Sequence, residues 1–319
     1  MNAKPLLEIN SLTVELATPA GWVRPVNEVS LEIDAGESVG LVGESGSGKT
    51  MLSLALMGLL PHGSRVSGGI NFLGSPLERL TEPRWQSLRG REIAMIFQEP
   101  MTSLNPVMRV GAQIEEAIRT HEPELSAAGI RNKVLDALRK AAVPEPEDRA
   151  VQYPHQLSGG LRQRAMIAMA LSTGPKLLIA DEPTTALDVT VQKQILVLLR
   201  KLQRDLKLGL LFITHDLGVV AQIADRVAVL YAGRIVEEGP VREVLASPLH
   251  PYTQGLLAAS PKLKRGRLTP IPGTVPELTA LPPGCAFEPR CGLRKQECGE
   301  AVPALRHSGA ERAARCILV

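Results

Sequence analysis

Gly43-Glu-Ser-Gly-Ser-Gly-Lys-Thr50 stands between a short apolar run, Glu37–Val42, and a segment from Thr50 to Leu60 that reads as a helix stopped by Pro61 and Gly63. The spacing is G-x-x-x-x-G-K-[ST], in the strand–turn–helix setting that gives the pattern its chemistry. Glycines let successive backbone N–H groups curl around a phosphate at the positive end of a helix. Gly43, Glu44, Ser45, Gly46, Ser47, Gly48, Lys49 and Thr50 are therefore candidate phosphate-binding residues. Lys49 would place a charge at the β and γ phosphates, and Thr50 would ligate Mg²⁺. A plain glycine-rich turn has no packing use for Lys-Thr at a helix start.

Leu177-Leu-Ile-Ala-Asp-Glu182 puts two carboxylates at the end of an apolar strand. Such a strand end lies beside the phosphate loop in a doubly wound sheet. Asp181 would hold the Mg²⁺ shell and Glu182 would polarise the attacking water. The two motifs together define an α/β P-loop NTPase. A GTPase would carry N-K-x-D, and the nearest string, Asn132-Lys133-Val134-Leu135, lacks the aspartate.

The flanking pattern agrees with an α/β class. Leu6–Leu16, Val29–Ile33, Ile93–Phe97, Leu177–Ala180 and Leu210–Thr214 read as strands. The stretches Val110–Val143, Ser158–Ser172 and Val189–Leu206 read as helices, with Ile114, Ile118, Val134, Leu135 and Leu138 on one apolar face. Val227–Tyr231 and Arg234–Glu237 form a hairpin around Ala232-Gly233. The chain of 319 residues fits two domains, or one large domain with an appendage. With 44% apolar and 22% charged residues it is an ordinary globular sequence, not a disordered one. The net charge of +3 is too small to draw it to nucleic acid or an anionic membrane. No apolar run approaches the roughly 18 residues of a membrane span. The N-terminal MNAKPLLEIN lacks a long apolar core, so the chain is expected in the cytoplasm, with any membrane role arising through a partner.

Leu157-Ser-Gly-Gly160 decides which kind of NTPase this is. Ser158 sits at a helix N-cap, and Leu161-Arg-Gln-Arg follows. Such a helix start offers N–H groups and a hydroxyl to a γ-phosphate. An LSGG-x-R-Q-R string between a phosphate loop and an Asp-Glu pair resembles the signature of ATP-binding-cassette ATPases. The resemblance implies a RecA-like core with an antiparallel β subdomain and an inserted helical subdomain at about 100–172. It also implies head-to-tail pairing, so that Ser158, Gly159 and Gly160 meet the nucleotide of the opposite subunit. Gln98 matches the loop that links Mg²⁺ or the water to the membrane partner. Asp188, in Ala186-Leu-Asp188, matches the loop at the dimer seam, and His215 matches the switch histidine. In this family an aromatic residue stacks on adenine about twenty residues before the phosphate loop. Trp22 is the available aromatic, two positions later than usual, where Ala20 stands; it is either that stacker or an apolar loop residue.

Within the family, Gln98–Pro106, Asp181–Val191 and His250-Pro-Tyr-Thr-Gln-Gly-Leu-Leu257 resemble the ATPase subunits of dipeptide and oligopeptide importers, and the string Leu157–Ala170 resembles the "D" type of their two paired ATPases. The implied partners are a paralogous ATPase subunit, two membrane permease subunits and an extracytoplasmic peptide-binding protein, with no nucleic acid. The implied place is the cytoplasmic face of the inner membrane. Importers of nickel, glutathione or other small solutes are the alternative, and a soluble ABC ATPase is a more distant one. Only 107 positions separate Thr50 from Leu157, with no sustained heptads, which speaks against DNA-repair members with long coiled coils.

After Tyr252 the composition changes. Residues 261–289 hold seven prolines and a basic run, Lys262–Arg267. This reads as a linker within an extension at 259–319, behind a nucleotide-binding domain at 1–258. All four cysteines, Cys285, Cys291, Cys298 and Cys316, lie in the extension. In a reducing compartment that clustering points to metal before disulfides. The spacing lacks the C-x₂-C pairs of small zinc sites, and zinc or bare thiols stay open. The resemblance implies a [4Fe–4S] cluster, for which four thiolates are the right ligand set. The tail is expected to serve structure, apart from the nucleotide site.

Overall fold

In the computed structural model, residues 4–98, 103–185, 187–260, 263, 269–309 and 311–319 are described. The basic run falls almost wholly outside them, as do Ala186 and residues 99–102 of the string after Gln98. The chain forms two compact units, Met1–Arg79 with Phe212–Val319, and Leu80–Leu211.

The first unit begins with β1 (Leu7–Thr18) and β2 (Gly21–Ile33), paired antiparallel. In β2 the residues Val29, Leu31 and Ile33 are buried and alternate with exposed Ser30 and Glu32. Ser11 and Glu28 take φ of 46° and 53° where the register shifts. Their N–H groups donate to the Ser30 and Thr13 hydroxyls at 2.9 and 3.0 Å, so side chains satisfy the backbone at the irregularity. After β3 (Ser38–Val42) and α1 (Lys49–Leu56), β4 (Arg65–Phe72) and β5 (Ser75–Pro76) complete a four-stranded sheet in the order β2-β1-β4-β5. Helix α1 stops four residues short of the expected Leu60. Gly58 takes a left-handed φ of 61°, and the Leu59 N–H closes onto the Leu54 carbonyl at 2.8 Å, which ends the helix before Pro61 can.

The second unit holds α2 (Glu82–Leu88), β6 (Ile93–Ile96), α3 (Val110–His121), α4 (Ala127–Lys140), α5 (Pro146–Ala150), α6 (Gly159–Leu171), β7 (Leu177–Asp181) and α7 (Val189–Asp205). Strands β6 and β7 are parallel. All five residues of β7 are buried, so it reads as a continuous apolar run rather than an alternation. The expected Val110–Val143 helix is two helices. Pro123 interrupts it, and Ser126 starts α4 by accepting the Gly129 N–H at 3.2 Å.

The chain returns to the first unit through β8 (Gly209–Thr214), then α8 (Leu217–Ile223), β9 (Arg226–Tyr231), β10 (Arg234–Pro240), α9 (Val241–Ala246) and α10 (Pro251–Ala259). Strand β9 runs parallel to β3 and antiparallel to β10. The β9–β10 turn has φ of 45° at Ala232 and 84° at Gly233, the double positive φ of a tight hairpin. Two short strands, β11 (Arg306–His307) and β12 (Ala313–Ala314), pair with each other, and β12 adds to β10. The tail is thus built into the sheet of the first unit. Its Phe287 shares a core with Val42, Val229, Tyr231 and Tyr252. Among the described residues no helix is long and apolar enough to cross a membrane.

Candidate nucleotide site

The loop between β3 and α1 is held by close backbone approaches. A Cβ on Gly48, whose φ is 107°, would fall 1.9 Å from the Pro25 carbonyl oxygen, so no larger residue fits. The Gly233 N–H donates to the Ser47 carbonyl at 2.9 Å, and the Asn27 N–H to the Gly233 carbonyl at 2.8 Å, so the β9–β10 turn buttresses the loop. Lys49 is buried and its Nζ donates to the carbonyls of Gly43 and Glu44 at 2.8 and 3.0 Å. Its charge therefore sits across the loop. Ser47 Oγ is buried with no hydrogen-bond partner among the described residues. A buried hydroxyl left unpaired is the exception in folded proteins and fits a group that a ligand completes. Ser45, Gly46 and Thr50 are exposed.

In the second unit, β7 ends in the buried Asp181, and Glu182 follows with φ of 46°. That left-handed conformation is uncommon for a residue with a side chain and concentrates at functional sites. The Glu182 carboxylate accepts from Thr185 Oγ1 at 2.9 Å and from Gln98 Nε2 at 3.4 Å. Two groups separated by 84 positions thus meet at the ends of neighbouring strands. Ser158 caps α6, its Oγ accepting the Leu161 N–H at 3.4 Å. Gly159 and Gly160 form the first turn. A Cβ on Gly160 would lie 2.8 Å from Val191 Cγ1, so this glycine also lets α6 and α7 pack closely. Asp188 caps α7, accepting the N–H groups of Thr190 and Val191, both at 3.0 Å. His215 is exposed just beyond β8, in the first unit, where Asp216 caps α8 by accepting the Gly218 N–H at 2.8 Å. Trp22 is 44% exposed, and the Arg65 guanidinium stacks 3.8 Å from its ring centre. It borders a cavity of about 340 Å³ shared with Tyr231, Leu278, Leu281 and Phe287.

The four cysteines are free thiols lining one small pocket with His250, Phe287 and Leu293. Gly284 makes the closure possible, since a Cβ there would sit 2.2 Å from the Cys298 carbonyl oxygen. The Cys285 N–H donates to that same carbonyl at 2.8 Å. Burial pushes the Cys285 and Cys291 thiols up, and the N–H groups of Phe287 and Leu293 offset only part of that rise. The Lys295 N–H donates to Cys298 Sγ at 3.4 Å. Among the described residues, however, no three His, Cys, Asp or Glu side chains are grouped so that they could hold a metal ion. The thiols therefore share a pocket without forming a group that could hold a single metal ion, and the expected iron–sulfur cluster is not shown.

One feature departs from the expected separation of tail and nucleotide loop. Arg290, almost fully buried, grips the Glu44 carboxylate with two nitrogens at 2.7 and 3.1 Å. The Glu44 N–H donates to the Tyr252 hydroxyl at 2.9 Å, and burial raises that hydroxyl's pKa, so it stays neutral. No sequence pattern announces these contacts, because they join residues 246 and 208 positions apart.

The ABC transporter family profile matches residues 26–185, and that of the oligopeptide/dipeptide transporter C-terminal region matches 236–298. A Brucella ovis protein named as a peptide import ATP-binding protein is 48% identical over 99% of this chain and 98% of its own length. One so named from Brucella melitensis is 46% identical over 99% and 96%. Among solved structures, a dimeric ATP-binding cassette in a post-hydrolysis state with ADP and Pi has a TM-score of 0.66 at 27% identity, covering 74% of this chain and 99% of that one. The cbiO1 cassette of Clostridium perfringens, part of an ABC transporter complex, has a TM-score of 0.65 at 27% identity, covering 77% and 92%. With the phosphate loop, the LSGG helix start and both family regions in one chain, the protein belongs to the ABC transporter ATP-binding family, in the group of the peptide import ATP-binding proteins.

Proposed function

We propose that this chain is the ATP-hydrolysing subunit that powers uptake of dipeptides or oligopeptides through a membrane importer. The observation that carries the reading is the joint presence of the ATPase motifs and the oligopeptide/dipeptide C-terminal region in one chain. Lys49 and backbone N–H groups of the 43–50 loop bind the triphosphate. Glu182 polarises the attacking water, its carboxylate oriented by Thr185 and Gln98. His215 contacts the γ-phosphate as a switch, and Trp22 is the candidate stacker for adenine. Thr50, Asp181 and Gln98 offer hard oxygen donors of the kind Mg²⁺ prefers, and the ion when bound neutralises charge on the β and γ phosphates. Catalysis is mainly positioning and charge stabilisation.

Each ATP lies between residues 43–50 of one subunit and Ser158–Gly160 of another, with Asp188 at the seam. The dimeric form of the related cassette supports this arrangement. The partner is a paralogous subunit, and the pair drives two permease subunits at the cytoplasmic face of the membrane, fed by an extracytoplasmic binding protein. A [4Fe–4S] cluster in the tail remains part of the reading. Four thiols facing one pocket and N–H groups aimed at sulfur support it. A cubane also spreads its ligand sulfurs wider than a single zinc ion does.

The shared site is tested by substitution at the helix start. Ser158→Arg should leave ATP affinity of the isolated chain nearly intact while abolishing ATP-driven dimerisation, read by light scattering with titration calorimetry. A collapse of affinity in the isolated chain would contradict the head-to-tail arrangement.

A further inference from the structure

Glu44 occupies the second position of the phosphate loop, where a triphosphate carrying about four negative charges is to be bound. A carboxylate there opposes the ligand unless something neutralises it. Arg290 does so from the cysteine-bearing tail. Both terminal nitrogens of its guanidinium face Glu44, and its Nε donates to the Pro272 carbonyl at 2.8 Å. Arg290 is 5% exposed at the side chain and Glu44 31%, so the pair is only partly screened by water. The guanidinium also rests 5.9 Å from the ring centres of Tyr231 and Phe287. The Glu44 N–H is already taken by Tyr252, and its carbonyl accepts from Lys49. All three polar groups of this loop residue are thereby fixed, two of them by residues of the C-terminal part.

We propose that Arg290 is a positioning residue for the nucleotide loop, which cancels the Glu44 charge and holds the loop in its binding shape, so that the cysteine-bearing tail sets ATP affinity. This rests on the ATP-binding reading above. A fixed loop loses less freedom on binding, and a neutralised one repels the polyphosphate less. Arg290 directly precedes Cys291, and Phe287 lies between Cys285 and Arg290, so the arginine is carried by the segment between the first two cysteines.

The test is ATP titration calorimetry on the full chain, in low and high salt, with Arg290→Met, Arg290→Lys, Glu44→Gln and the double variant Arg290→Met/Glu44→Gln. Arg290→Met should raise Kd roughly tenfold or more, the scale of one charged hydrogen-bonded pair, and the defect should shrink as salt rises. Arg290→Lys should stay within about threefold of wild type, because it keeps the charge. Glu44→Gln should bind more tightly than wild type at low salt, because the Arg290 charge then faces the triphosphate uncancelled. The double variant should bind at least about threefold more tightly than Arg290→Met, since the carboxylate that needed cancelling is gone although the loop is no longer held. A merely structural arginine would give a salt-independent loss that Glu44→Gln does not relieve, and that result would overturn the proposal. Unchanged affinity in Arg290→Met would overturn it as well. If Arg290→Met does not fold, the decision passes to Arg290→Lys and Glu44→Gln, and a Glu44→Gln chain that binds tenfold more weakly overturns the proposal. Lys49→Ala keeps the two readings apart. Wild-type binding that it abolishes upholds the nucleotide site, so a flat Arg290 series then fails alone, whereas absent wild-type binding overturns both.

Discussion

Glu182 combines an uncommon backbone conformation with two side-chain donors on its carboxylate. The left-handed glutamate directly follows a buried strand, and the two donors fix the orientation of its carboxylate. Glu182→Gln should therefore keep ATP binding while lowering turnover of the assembled transporter by roughly 10²–10⁴, the usual worth of a general base. Turnover within about twofold of wild type would remove Glu182 from that role. Most single residues of the site were legible because their chemistry is local. Ser158 and Asp188 precede helices and cap them, and Lys49 follows the loop whose Gly43 and Glu44 carbonyls it bonds. The Glu44–Arg290 pair was not legible, since nothing near either residue marks a partner so far along the chain.

The packing of α6 against α7 ties the LSGG segment to its neighbour. A Cβ at residue 160 would press on Val191, and α6 would have to move or rotate. Gly160→Ala is expected to destabilise the isolated chain by about 1–3 kcal/mol in urea unfolding, as overpacked contacts do, and Val191→Ala should recover most of the loss. An unchanged midpoint for Gly160→Ala, or no recovery in the pair, would show that the contact does not constrain these helices. Strands β3, β7 and β8 were readable from their apolar runs, and the β9–β10 hairpin from Ala232-Gly233. Strand β4 was harder to read, because Gly68 and Gly69 break its alternation where the chain crosses close over Ser11. Strands β11 and β12 have two residues each, too short for any periodicity, and their place is set by pairing with β10.

Taken as one body with the N-terminal sheet, the tail is more than an appendage. It extends the sheet of β3, β9 and β10 through β12, contributes Phe287 to the core packed on those strands and reaches the phosphate loop through Arg290. A segment with so little apolar surface of its own gains from a further staple at the four thiols. Anaerobically purified protein should be brown and carry about four iron atoms per chain, and Cys298→Ser should lose the iron and loosen the tail. Because Arg290 belongs to the same segment, ATP affinity should weaken in that variant too. Stoichiometric zinc without iron would overturn the cluster. Coupling of ATP hydrolysis to import is tested most directly by peptide uptake into proteoliposomes holding this chain with its co-purified membrane subunits, supplied with the binding protein outside and ATP inside. The expected result is peptide accumulation that needs ATP and is abolished by Glu182→Gln; accumulation that persists without ATP or with Glu182→Gln, or its absence from the complete wild-type system, would contradict it.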